Sequence, residues 1–256
     1  MKFLVLLATL AFPGAATTQT PAHALTFDVA AIHPTRPGTD GGFIKALPGG
    51  HGYSAMNVTV KLMISLMYKV PMRQIHGGPN WLNEERYDIE ARADGAYSLD
   101  DLHTMYQNLL ADRFGLKVHR ETHEGNVYAL TVDASGLKMK PNTSPQDYEV
   151  PMQGPPAKTV GKRVPIGYLC WWLSLQLQND ERPCVDLTGL TGNYDFTISF
   201  MPLLPPGVTE DRLPPEYKDL PSIFTALKEQ LGLRLTAQKG PVEDLVIDHI
   251  DKPTEN

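Results

Sequence analysis

His119-Arg120-Glu121-Thr122-His123 sets two imidazoles and a carboxylate at alternate positions. Side chains on a strand point to opposite faces in turn, so these three share one face and offer the ligand types of zinc or non-haem iron. Neighbouring same-face positions stand ~6.5–7 Å apart along a strand, too spread for three in a row to converge on one ion. No metal and no cofactor is therefore assigned. The segment reads either as a solvated strand face or, through His119 and Glu121, as an acid/base pair. A second set of acids is Asp88 and Glu90 on one strand face, with Asp195 repeating Asp88. Paired carboxylates ~5–9 Å apart would suit glycoside hydrolysis. A Tyr-Asp pair written twice also suits a structural turn or cap. His119, Glu121 and Asp88 are the catalytic candidates.

Aromatic side chains supply the binding candidates. Gly77-Gly78-Pro79-Asn80-Trp81 is a rigid turn presenting Trp81, Tyr87 follows shortly, and Trp171-Trp172 adds two more rings. Exposed, they would stack on a sugar or peptide; buried, they are core. The chain has no Gly-x-Ser-x-Gly elbow, no His-Glu-x-x-His and no phosphate loop. Its net charge of -6 provides no basic excess to neutralise a nucleic-acid backbone. Hydrophobic residues at 42% and charged residues at 20% exclude wholesale disorder. Two cysteines exclude a disulfide-dense miniprotein and a four-thiolate zinc site. Cys170 lies on an apolar helix stripe and Cys184 at the start of a strand that turns back along that helix. In an oxidising compartment the two would form one disulfide.

The elements that must position these residues are written twice. Arg86-Tyr87-Asp88-Ile89 is answered by Asn193-Tyr194-Asp195-Phe196, and Leu110 to Val118 by Leu227 to Leu235. In the second pair an amphipathic helix ends at a glycine, Gly115 or Gly232, and a strand follows at once. Apolar stripes mark a helix opening each half, at Val60, Met63, Ile64 and Met67 and again at Ile166, Leu169, Cys170 and Leu173. Further strands close the halves at 126–133 and 244–250. The order predicted for both is helix, strand, strand, helix, strand, strand. The fold class is α+β by internal duplication, with mainly antiparallel sheet and helices on one face. Residues 1–24 read as a signal peptide, a basic Lys2 followed by a short apolar run and Ala22-His23-Ala24 as a cleavage site. That run is about half the ~20 residues of a membrane span, and no other stretch comes close. Residues 25–140 then hold an N-terminal strand, a hairpin and the first repeat. A Pro-rich linker occupies 141–165, the second repeat 166–256, and Met201 to Pro221 forms a proline-rich loop.

Several of these segments together resemble a known family. Phe27-Asp28-Val29-Ala30-Ala31-Ile32-His33-Pro34, Ser54 to Thr59, Gly77-Gly78-Pro79-Asn80-Trp81-Leu82 with Arg86-Tyr87-Asp88-Ile89, Leu110-Ala111-Asp112-Arg113-Phe114, Lys117 to Thr122, Asp186 to Phe196 and Leu245 to Asn256 are similar to the soil-associated, chiefly acidobacterial family of exported proteins of unknown function, some fused to membrane-bound sensor peptidases. The resemblance implies export, to the periplasm or beyond, and a duplicated α+β body; it carries no reaction. The Ile223 to Leu235 unit is also similar to the short periplasmic domain at the N-termini of secretins and TonB-dependent receptors. The function expected is an exported binding or interaction module for an unknown protein or a small-molecule or saccharide ligand, with no nucleic acid and no membrane span after cleavage. The alternative is a secreted hydrolase of a glycoside, polysaccharide or ester, using the His/carboxylate pair.

Overall fold

The computed structural model describes residues 25–144, 150–155, 157–177, 182–201 and 215–253. The expected signal peptide and most of the proline-rich loop before Pro221 lie outside the described residues. The first half runs β1 (Val29–Pro34), β2 (Phe43–Ala46), β3 (Gly52–Thr59), α1 (Val60–Tyr68), β4 (Ile75–Gly77), the single turn α2 (Trp81–Glu84), β5 (Arg86–Arg92), α3 (Leu99–Arg113) and β6 (Lys117–Val132). Local chemistry sets the ends of its helices. Thr59 caps α1 by accepting from the Leu62 N–H, and Ser98 caps α3 by accepting from the Asp101 N–H at 3.0 Å. Asp100 and Asp101 in the first turn of α3 and Arg113 in its last complement the helix dipole. β1, β5, β3 and β2 form one antiparallel sheet in that order. The buried stripes of α1 and α3 pack into one core with Tyr53, Tyr87 and Ile89 of this sheet.

The second half runs β7 (Lys140–Pro141), β8 (Met152–Gln153), β9 (Lys158–Pro165), α4 (Ile166–Gln176), β10 (Cys184–Asp186), β11 (Asn193–Ser199), the short α5 (Pro215–Lys218), α6 (Ile223–Ala226) and β12 (Leu233–His249). α6 passes directly into one π-helical turn, Leu227–Leu231. Ser222 caps α6 as Ser98 caps α3. Gly232 then adopts φ +67°, and a Cβ there would stand 1.9 Å from the Gly136 carbonyl oxygen, so only glycine fits this helix exit.

Two features depart from the sequence expectation. Residues 158–165, assigned to an irregular linker, form β9, which pairs with β11 on one side and β8 on the other. Its prolines sit outside the strand interior, Pro165 at the last position, so they leave the ladder intact. The two strands expected after each long helix are in fact one, because the polar segments between them are paired continuously across the molecule.

That continuous pairing is the antiparallel ribbon β6·β12, in register from Leu233↔Val132 to Ile247↔Val118, with an irregularity before His249↔Lys117. Each half then lends the ribbon a short strand on the far side. β4 of the first half pairs in parallel with β12 of the second, placing Ile75 opposite Leu245. β10 of the second pairs in parallel with β6 of the first, placing Cys184 opposite Tyr128. The cores are exchanged accordingly. Leu245, Ile247 and Ile250 of the second half complete the first core, while Tyr128 and Leu130 of the first half complete the second. Fully burying each such side chain is worth about 1.5–3 kcal/mol, so each half contributes several kcal/mol of burial to the other's core.

Buried polar groups and a covalent bond pin the packing. His103 sits inside the first core with Nε2 2.8 Å from the Tyr53 hydroxyl, and burial, aided by nearby Lys69, pushes its pKa down to about 4. Cys170 and Cys184 form a disulfide with Cα atoms 5.2 Å apart, tying α4 to β10. Closing a loop of this size is worth about 3 kcal/mol in the chain-entropy account. Replacing both cysteines with alanine should therefore lower unfolding stability by about 3 kcal/mol in denaturant titration. The denatured, unreduced wild type should yield no titratable thiol; two thiols per chain would contradict the bridge.

Candidate functional site

The ribbon decides where the sequence-selected residues stand. His119 and Glu121 lie on an exposed stretch of β6 and do meet: His119 Nε2 is 3.1 Å from Glu121 Oε1. Its other nitrogen, Nδ1, lies 2.8 Å from Asp248 Oδ1 on β12. The imidazole is thus held between two carboxylates, and Asp248 first, then Glu121, raise its pKa above the ordinary value. Both ring nitrogens are therefore engaged by carboxylates of the ribbon. His123 turns to a different partner, with Nδ1 3.1 Å from Asp244 Oδ2.

Asp88 and Asp195 each stand opposite an irregularity in the neighbouring strand. In β3, Met56 and Asn57 oppose the single residue Asp88, a β-bulge in which Asn57 takes φ +55°. Asp88 Oδ1 accepts from the Asn57 N–H at 2.8 Å and from the Thr35 hydroxyl at 2.7 Å. In β9, Lys162 and Arg163 oppose Asp195, and Arg163 takes φ +51°. Asp195 Oδ1 accepts from the Arg163 N–H at 2.9 Å, and Asn142 bonds both carboxylate oxygens. The Arg163 amide and then Asn142 hold the Asp195 carboxyl below its usual range. Each acid satisfies the amide that its bulge would otherwise orphan. The aromatic candidates are not gathered at one place. Tyr87 is 3% exposed, packed edge-on against Phe114, and donates to Glu85. Trp81 packs partly against the first core. Trp171 and Trp172 pack against the second, beside Tyr168 and Phe200. His119, Glu121, Asp88 and Trp81 line none of the five principal clefts.

A different group of side chains does converge, at the seam where the halves exchange strands. A cleft of about 610 Å³ is lined by Arg73, Gln74 and His76 around β4, His123 and Asn126 on β6, Arg182 before β10, and Asp244 on β12. Asp244 Oδ2 sits between His123 Nδ1 and His76 Nε2, the latter 3.2 Å away. Arg73 donates from Nη1 to the Ser174 carbonyl, and Arg182 from Nη1 to the Tyr128 hydroxyl. Among the described residues no group of three His, Cys, Asp or Glu side chains is arranged to hold a metal ion. A neighbouring cleft of about 410 Å³ shares the walls Gln74 and Pro183 and is faced by Pro71, Trp171 and the Cys170–Cys184 bridge. Sequence reasoning singled out His123 but gave it the wrong company. Asp244, His76, Arg73 and Arg182 are scattered along the chain, and only the strand register brings them together. The available signal was Arg73 and Arg182, each two residues before the start of a short strand.

The family described as Protein of unknown function (DUF3738) matches residues 61–250. No curated protein and no solved structure matches the chain.

The His119 environment makes a prediction with a definite sign. Stabilisation from the protonated ring is fully present below the unfolded value near ~6.5 and is lost as pH rises through the higher folded value. NMR titration should give a His119 midpoint above ~6.5, and Asp248→Asn should lower it. An unchanged midpoint in that variant would show that Asp248 is not the cause.

Proposed function

We propose that this chain, which belongs to the family described as Protein of unknown function (DUF3738), is an exported binding module whose ligand seat is the cleft at the seam between its halves. One observation carries the reading: polar and cationic side chains from four separate segments converge on that cleft. Concave sites with a few convergent polar groups are the usual form of a small-molecule seat. Export is supported by the Cys170–Cys184 bridge, since disulfides persist in oxidising compartments. No helix among the described residues is long and apolar enough to cross a membrane. An origin by internal duplication is supported by the common order of elements, the paired Ser caps and the two matching bulges. The similarity of the Ile223 to Leu235 unit to short secretin and TonB-receptor domains also favours a binding role over a reaction.

A second reading, hydrolysis by the His119–Glu121 pair, rests on their 3.1 Å approach. One experiment separates the two. Purified protein is assayed with chromogenic glycosides and esters, and its amide spectrum is recorded against a panel of small acids, phosphates, saccharides and peptides. The binding reading expects no turnover, with ligand-induced shifts at residues 73–76, 123–126 and 240–244. Turnover that disappears in both His119→Asn and Glu121→Gln would overturn it.

A further inference from the structure

We propose that the seam cleft is an oxyanion site, taking a small molecule with a phosphate or carboxylate head and a flat apolar body; this rests on the binding reading above. The inference starts from Arg73 and Arg182. Arg73 stands two residues before Ile75, which pairs with Leu245 across β4·β12. Arg182 stands two residues before Cys184, which pairs with Tyr128 across β10·β6. The two arginines therefore hold corresponding positions in the two halves, on opposite edges of the ribbon, and both face one cleft. Each guanidinium is positioned by a bond from Nη1 to the protein, Arg73 to the other half's Ser174 carbonyl and Arg182 to the other half's Tyr128 hydroxyl. Arg182 is further held with its guanidinium carbon 5.4 Å from the Tyr128 ring centroid. Guanidinium forks fixed in advance are the side chains best matched to carboxylate and phosphate oxygens.

The rest of the lining agrees with that charge. The chain carries a net charge of -6, yet this cleft collects two arginines, two histidines, Gln74 and Asn126. Among the described residues of the lining Asp244 is the one carboxylate, and its Oδ2 is engaged by His76 and His123. The body of the ligand follows from the adjoining cleft, whose shared walls Gln74 and Pro183 lead to Pro71 and Trp171. The Trp171 indole N–H is buried and has no acceptor among the described residues. An aromatic face beside a cationic seat suits a ring that carries its anion at one end.

The test titrates the purified chain with inorganic phosphate, phenyl phosphate and phenol at fixed ionic strength, following amide shifts. Both phosphates should saturate at residues 73–76 and at Arg182, with phenyl phosphate binding about tenfold tighter, the factor that about 1.4 kcal/mol of ring contact would provide. Arg182→Gln should weaken both about tenfold or more, as expected for losing a charge-assisted contact. Trp171→Leu should remove only the advantage of phenyl phosphate. Arg73→Gln also loses the bond to Ser174, so its unfolding midpoint is measured alongside, and Arg182→Gln decides if that variant does not fold. The proposal falls if neither phosphate shifts these residues, if Arg182→Gln binds them unchanged, or if phenol binds as tightly as phenyl phosphate. Should a neutral saccharide or peptide of the earlier panel shift the same residues while both phosphates do not, the oxyanion assignment fails and the binding reading stands.

Discussion

The structure depends on one backbone ladder, the antiparallel pairing of β6 with β12. It spans Lys117–Val132 and Leu233–His249, and it joins the halves through peptide groups rather than side-chain fit alone. An isolated ribbon of this kind is only marginally stable in water. Here its two flanks are covered by β4 and β10, each delivered by the half that does not own the strand it pairs with. Burial enforces the arrangement, since Leu245 and Ile247 have their core in one half and Tyr128 and Leu130 have theirs in the other. A one-residue slip of the ribbon would turn every one of these side chains to the wrong face.

The same constraint explains where polar chemistry is permitted. The middle of the ribbon, around Gly125 and Gly240, lies between the two cores, and its surface is left to charged and polar residues. Cross-strand contacts such as Arg120 with Glu243 and His119 with Asp248 satisfy that surface. The seam cleft lies beside the exchanged strands, between residues of both halves. The two bulges serve a separate purpose. Asp88 and Asp195 satisfy the amides of left-handed Asn57 and Arg163, which lets β3 and β9 bend before entering α1 and α4. One oxygen of each acid, Oδ1, is committed to a backbone amide.

Much of this was legible in the residues. The stripes of α1 and α4 follow the helical period, and Gly115 and Gly232 announce helix ends. The Tyr-Asp repeat located the bulged strands, and the cysteine spacing located the bridge. The length of the ribbon was not legible. His119 to Glu124 has no apolar alternation, and it becomes strand because its partner continues beside it, a tertiary effect that local pattern does not encode. β9 was hidden for the opposite reason, since neighbouring prolines masked a short strand whose apolar positions, Val160 and Val164, are only two. The cleft was the least legible of all. Its members come from positions 73 to 244, and their meeting depends on the parallel pairing of β4 with β12, for which no local motif exists.

Interdependence of the halves is the central claim, and native-state hydrogen exchange tests it most directly. If the ribbon and its exchanged flanks bind the halves into one cooperative unit, the most protected amides of β5 and β11, together with those of β6 and β12, should exchange with a single free energy. That value should equal the global unfolding free energy from denaturant. Exchange in which residues 86–92 open at a distinctly lower free energy than residues 193–199, or the reverse, would show that one half unfolds while the other persists, and would contradict the account.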